Sequence, residues 1–251
     1  MRQVKMKYKA IPFWSWNDEL EEDKLIEQIR WMKDQEIGGF FMHARGGLKT
    51  EYLSEDWFNK IKVSVDEGNK LNMEPYAYDE NGWPSGFAGG KLLDDIKNHD
   101  MYLTYSYGKY DPKSLVSYII EDNQLIRTTS GENCLNVYSH YATSTADILN
   151  KNVVKKFLKL THEQYKEHDK EHKIVGFFTD EPQYVRYAHP YTRILPGYFK
   201  RKYKEDILDR LGLMFVEAEG YRDFRYKYWL SMQTLMLNAF GKMTYEWCDK
   251  N

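Results

Sequence analysis

Two acidic pairs stand out in this chain, Asp79-Glu80 and Asp180-Glu181, each at the end of a short run that reads as a β-strand. The second pair closes Lys173-Ile-Val-Gly-Phe-Phe-Thr-Asp-Glu-Pro182, where the apolar run Ile174 to Phe178 has the length and bulk of a strand buried on both faces. Pro182 cannot donate to a ladder and pushes Glu181 out of helical geometry, so the strand must stop there. Carboxylates at the carboxyl ends of parallel strands lie where α/β folds mount ligands and catalytic groups. Glycosidic cleavage needs two such groups, one to protonate the leaving oxygen and one to activate water or attack carbon. Glu181 and Glu80 are the candidates for that chemistry. Around them the strand ends would gather Asp180, Asp79, Trp83, His43, Arg45, Trp16 and Asn17, a set suited to binding a hydroxylated substrate.

Each residue has a plainer reading beside it. Asp79 and Glu80 also fit as caps of the turn at Asn81-Gly82, and Asp180-Glu181 as a solvated acidic turn. His43 fits equally as a hydrogen-bonded core residue, and Arg45 as a neutraliser of neighbouring carboxylates. Trp14 and Trp16 are read as facing opposite sides of their strand, so that at most one lines the mouth. A hydrolytic metal site is the rival chemistry, but no His-x-His or His-Glu-x-x-His pattern occurs and no metal ligands are assigned. Carboxylates alone could still hold Ca²⁺.

The elements that must position these groups follow from periodicity. Ala10 to Asn17 reads as a first strand, and Asp18 with Glu21 as a capping box opening a helix along Leu25, Ile29 and Met32. Ile37 to His43 is a second strand whose glycines suit close packing. Ser54 caps a second helix with Trp57, Ile61 and Val65 on its apolar stripe. Met73 to Tyr78 is a third strand. From about 101 to 149 the rhythm becomes Tyr-, Ile- and Val-rich runs between turn signals, a small antiparallel excursion. Asn150 caps a helix through Val153, Phe157, Leu160 and Tyr165, and the acidic strand comes next. Tyr198 to Leu211 reads as a helix, and a longer one carries Met232, Met236, Ala239, Met243 and Trp247 as core filling.

Strand and helix thus alternate four times, which argues for parallel βα units of the (β/α)8 TIM-barrel type. Only the first four to five units are counted in residues 1–251, so the expectation is one partial barrel domain with a β-rich insertion. Open strand edges would favour self-association. A formal net charge of −2 gives no case for nucleic acid or an anionic membrane. Aromatic residues are the real compositional deviation, with 21 Tyr and 7 Trp; sugar-processing proteins use such residues as stacking platforms, and Tyr-rich cores and surfaces are common too. Cys134 and Cys248 show neither metal spacing nor a disulfide framework. The charged start, Met1 to Lys9, lacks the apolar core of a signal peptide, and no stretch reaches membrane-spanning length; the expected location is cytoplasmic.

Pro12-Phe-Trp-Ser-Trp-Asn17, Gly38-Gly-Phe-Phe-Met-His43, Tyr78-Asp-Glu-Asn-Gly-Trp-Pro-Ser-Gly86 and Phe178-Thr-Asp-Glu-Pro182 occur in this order. Together they resemble the N-terminal part of the catalytic barrel of glycoside hydrolase family 106, the α-L-rhamnosidase family, over nearly the whole chain. The resemblance implies a TIM-barrel hydrolase acting on terminal sugars with inversion, and it allows bound Ca²⁺. It matches Glu181 to a strand-end carboxylate of the general-acid type. Family members run on through further strands and β-rich domains, so the resemblance also implies that the second catalytic carboxylate, and activity itself, could depend on residues beyond Asn251. The alternative is a non-catalytic carbohydrate-binding or scaffolding module derived from such a barrel. A metal-dependent hydrolase of another substrate is the third reading.

Overall fold

The computed structural model describes residues 8–251, so most of the charged start lies outside the described residues. The chain divides into two compact units. One comprises residues 1–91 and 156–182, and the other residues 92–155 and 183–251.

The first unit opens with β1 (Phe13–Trp16), α1 (Glu22–Asp34), β2 (Gly39–Ala44), α2 (Glu55–Lys70) and β3 (Glu74–Tyr78). Ser54 caps α2 by accepting the Trp57 N–H at 3.1 Å, and Trp57, Ile61 and Val65 are buried on its stripe. The capping box expected at Asp18 does not form. α1 starts after Glu21, which makes no side-chain cap, while Asp18 bonds the next amide and pairs with Lys49 at 2.6 Å. Gly39 has a packing reason in β2, because a Cβ there would overlap the Glu74 carbonyl of β3.

The chain then builds β4 (His99–Gly108), β5 (Val116–Glu121), β6 (Gln124–Thr128) and β7 (Cys134–Ala146). α3 (Lys151–Leu160), capped by Asn150, and α4 (His162–His168) lead to β8 (Phe177–Phe178). After β8 come β9 (His189–Tyr191), α5 (Leu195–Tyr203), α6 (Tyr221–Met236) and α7 (Lys242–Lys250).

In the first unit β1, β2, β3 and β8 form a parallel sheet in that order. Its strands show period-two alternation. Trp14, Trp16, Phe40, Met42 and Ala77 join Leu25, Ile29, Trp57, Ile61 and Val65 of the helices in one core cluster. Phe13, Phe41, His43, Tyr76, Tyr78 and Phe178 meet in ring contacts on the other face. Trp14 and Trp16 therefore share a face, contrary to the sequence reading, because residues two apart in a strand point the same way. β8 also differs from expectation. Among the described residues it pairs on one side alone, with β3, and Val175, whose amide bonds the Pro75 carbonyl at 2.9 Å, is 54% exposed, so the run is an edge strand and not one buried on both faces.

The second unit is a five-stranded antiparallel sheet of order β6-β5-β7-β4-β9. Its core joins Leu103, Tyr118, Leu135 and Val137 of the sheet to Phe199 of α5 and Phe224, Tyr228 and Met232 of α6. The unit comprises residues 92–155 and 183–251, and β9, α5 and α6 share its core, whereas Met243 and Trp247 of α7, expected as core filling, are only partly buried. The helix read as Tyr198 to Leu211 ends at Tyr203, where Lys204 turns left-handed and Asp206 caps a new 3₁₀ turn. The described residues thus form a mixed α/β structure with a parallel sheet and an antiparallel sheet. No helix among the described residues is long and apolar enough to cross a membrane.

Candidate functional site

The carboxyl ends of β1, β2, β3 and β8 bring most of the expected residues to one edge of the parallel sheet. The ladder fixes this convergence. Arg45 donates its amide to the Trp16 carbonyl at 3.0 Å, and Asp79 donates its own to the Phe178 carbonyl at 3.3 Å. Each strand therefore releases its chain at a similar height.

Glu181 is exposed, and one carboxylate oxygen accepts the indole N–H of Trp83 at 3.2 Å. Its φ of 43° lies in the left-handed region, a costly conformation for a non-glycine residue, of the kind that concentrates at functional sites. Asp180 faces the Arg45 guanidinium at 3.9 Å, with the Asp180 side chain 16% exposed. The indole of Trp83 is itself 42% exposed and offers a flat apolar surface beside this pair.

The other acidic pair is built differently. Glu80 is fully buried, and its two oxygens accept backbone N–H groups from Asn81 (2.9 Å), Gly86 (3.0 Å), Phe87 (2.9 Å), Ala88 (2.8 Å) and Gly89. The loop after β3 thus wraps its own carboxylate. Burial raises the Glu80 carboxyl pKa against the opposing pull of these amides. Positive φ angles at Gly82, Gly86, Ala88, Gly89 and Gly90 give the loop its tight path. A carboxylate engaged in this way presents no open oxygen to a substrate, which removes the basis for pairing it with Glu181 across a scissile bond.

Asp79 is also fully buried. One oxygen accepts the Ser85 hydroxyl at 2.6 Å and the other the Thr179 hydroxyl at 2.5 Å, with His162 Nε2 4.0 Å away. Burial lifts its pKa to about 7, against the pull of the two hydroxyls. The Ser85 hydroxyl oxygen in turn accepts the Asp180 amide at 2.9 Å, while the Ser85 amide donates to the Asp180 carbonyl at 2.9 Å.

The remaining expected residues lie apart from this group. Trp16 is 1% exposed and packs edge-on against Trp57, a core residue and not a sugar platform. His43 is buried and stacked on the Tyr78 ring at 3.9 Å, with no hydrogen-bond partner at either ring nitrogen. Burial, helped by the Arg45 charge, lowers its pKa to about 4, so it stays neutral at ordinary pH. Asn17 is exposed, and its carbonyl lies where a Cβ on Gly47 (φ 101°) would sit. Sequence reasoning misses Ser85, Thr179 and His162. Ser85 and Thr179 do lie inside the two distinctive blocks that carry the acidic pairs, which is the signal that could have found them.

Among the described residues no three or more His, Cys, Asp or Glu side chains converge as a metal site. Glu80 is filled by amides and both Asp79 oxygens by hydroxyls, which leaves Asp180 and Glu181 as the carboxylates of this group with open oxygens.

No family model matches the chain. No curated protein matches it either. Solved structures of similar fold include a rhamnosidase from Novosphingobium sp. PP1Y, with a TM-score of 0.59 and 9% identity over 92% of this chain. The chain spans 44% of that protein's length. At this identity the likeness shows a shared fold.

Proposed function

We propose that this chain is a glycoside hydrolase-like protein whose chemistry is carried by Glu181, acting as a general acid on a terminal sugar of the α-L-rhamnoside type. The observation that carries the reading is the Glu181 carboxylate, open to solvent at the end of the fourth parallel strand and held by the Trp83 indole N–H at 3.2 Å. A carboxyl there can give its proton to a leaving glycosidic oxygen. Asp180 and Arg45, a facing carboxylate and guanidinium, would bind sugar hydroxyls as acceptor and donors, and the Trp83 ring would cover an apolar sugar face. Glu80 is assigned to shaping the loop that presents Trp83 and not to proton transfer. The four parallel strands, with their likeness to a rhamnosidase fold, support reading the first unit as part of a (β/α)8 barrel.

The test is turnover of a panel of nitrophenyl glycosides, the α-L-rhamnoside included, by the full chain and by Glu181→Gln. General-acid catalysis predicts a loss of about 10²–10⁴-fold in the variant. Wild-type turnover by Glu181→Gln would overturn the assignment. The exposed Trp83 surface favours one second reading, a carbohydrate-binding module without catalysis. It predicts sugar binding that survives Glu181→Gln and no turnover by either protein.

A further inference from the structure

We infer that Asp79 is a positioning residue that fixes the Asp180–Glu181 segment through the hydroxyls of Ser85 and Thr179. The inference deepens the proposed role of Glu181 and rests on it. The geometry is specific to this corner of the first unit. The backbone ladder between β3 and β8 ends where the Phe178 carbonyl accepts the Asp79 amide, so the residues after it are held by other bonds. Immediately beyond, Thr179 donates its hydroxyl to one Asp79 oxygen, and Ser85 donates to the other. The Ser85 oxygen then receives the Asp180 amide, and the Ser85 amide closes the loop onto the Asp180 carbonyl. One buried carboxylate therefore holds the residue before Asp180 directly and Asp180 itself through one hydroxyl. Glu181, the next residue, sits in a left-handed conformation that needs such restraint.

This tether depends on protonation. Ionised Asp79 accepts from both hydroxyls at once. Protonated Asp79 must donate through one oxygen, so either Ser85 or Thr179 has to turn and accept instead. If Ser85 turns, its oxygen serves two donors and its hold on the Asp180 amide weakens. Near Asp79 are Glu80 and Tyr78 on its own chain segment, His162 and Tyr165 on α4, and Tyr52 in the segment between β2 and α2. His162 has its pKa lowered to about 3 by burial and stays neutral above that, and the tyrosines are raised. Glu80, buried with its pKa raised, is the remaining acid beside Asp79, and the five N–H groups on its oxygens oppose its protonation. Asp79, which has two hydroxyl donors where Glu80 has five amides, has its pKa lifted to about 7.

The experiment is a ¹H–¹⁵N correlation titration of the full chain from pH 5 to pH 9, following the Asp180 backbone amide and the Trp83 indole N–H. In the wild type the Asp180 amide is expected to shift with a midpoint near neutrality. In Asp79→Asn, the neutral isostere, that titration is expected to vanish. In Ser85→Ala, which keeps Asp79 but cuts the relay, the Asp180 response is expected to shrink to the scale of untethered neighbours. An Asp180 titration of full size in Asp79→Asn, or a wild-type amide flat across the range, would overturn the inference. Should Asp79→Asn not fold, the wild type and Ser85→Ala decide it alone. The Trp83 indole signal, compared between wild type and Glu181→Gln, reports the Glu181 contact independently. Failure of glycoside turnover would therefore sink the proposed chemistry without touching the tether, and a flat Asp180 amide would sink the tether without touching the chemistry.

Discussion

The same dipeptide ends two neighbouring strands of one sheet, and the two copies live opposite lives. Asp79-Glu80 after β3 is fully buried, with five backbone amides on Glu80 and two hydroxyls on Asp79. Asp180-Glu181 after β8 stands at an edge, with a guanidinium facing one carboxylate and an indole N–H on the other. Residue type and strand position are alike, so solvation separates the roles. A carboxylate whose oxygens are all engaged inside the protein builds structure, and one with open oxygens is free for chemistry.

The largest effect that should sharpen this contrast is on stability. Glu80→Ala strands five N–H groups around a buried hole and should cost about 3–5 kcal/mol in chemical denaturation, whereas Glu181→Gln should stay within about 0.5 kcal/mol. Equal losses would break the comparison. Next in size is a pH effect from Asp79. Its folded pKa of about 7 lies above the 3.8 of an unperturbed Asp, so the folded state keeps a proton that the unfolded chain has lost. Its stabilisation is full below about pH 4 and is lost as pH rises through 7, on the order of 2–4 kcal/mol. The difference in unfolding free energy between wild type and Asp79→Asn, measured from pH 4 to 8, should carry that slope.

His43 gives a slope of the other sign. Its pKa falls from 6.5 to about 4, so its contribution is present above pH 6.5 and is lost as pH falls toward 4, on the order of 2 kcal/mol. Comparison with His43→Asn over that range should isolate it. The smallest effect belongs to Trp83→Phe, which removes one hydrogen bond to Glu181 while keeping an aromatic face. If Glu181 is the acid, turnover should fall about fivefold, the worth of one net hydrogen bond, with the unfolding midpoint unchanged.

Much of the frame is legible in the sequence because it is local. The Ser54 cap, the Trp57-Ile61-Val65 stripe and the four parallel strands arise from short-range pattern and spacing. The illegible parts depend on tertiary closure. Glu80 looks like a strand-end acid until the loop through Gly89 folds back onto it. Asp18 has the spacing of a cap, but Lys49, far along the chain, claims it. The run Ile174 to Phe178 is apolar enough for a central strand, yet only β3 pairs with it among the described residues, and Val175 is left exposed. Trp16 reads as a mouth residue from its position near a strand end, whereas its face, shared with Trp14, is the helix side. The Met232 to Trp247 stripe reads as core filling throughout, but only its first part, on α6, joins the core of the antiparallel sheet.

The division between the two acidic pairs can be read directly by carbodiimide labelling of carboxyl groups in the folded chain, mapped by mass spectrometry. Labelling of Glu181 with Glu80 and Asp79 untouched until the protein is unfolded is the result expected here. Labelling of Glu80 in the native protein as fast as Glu181 would contradict it.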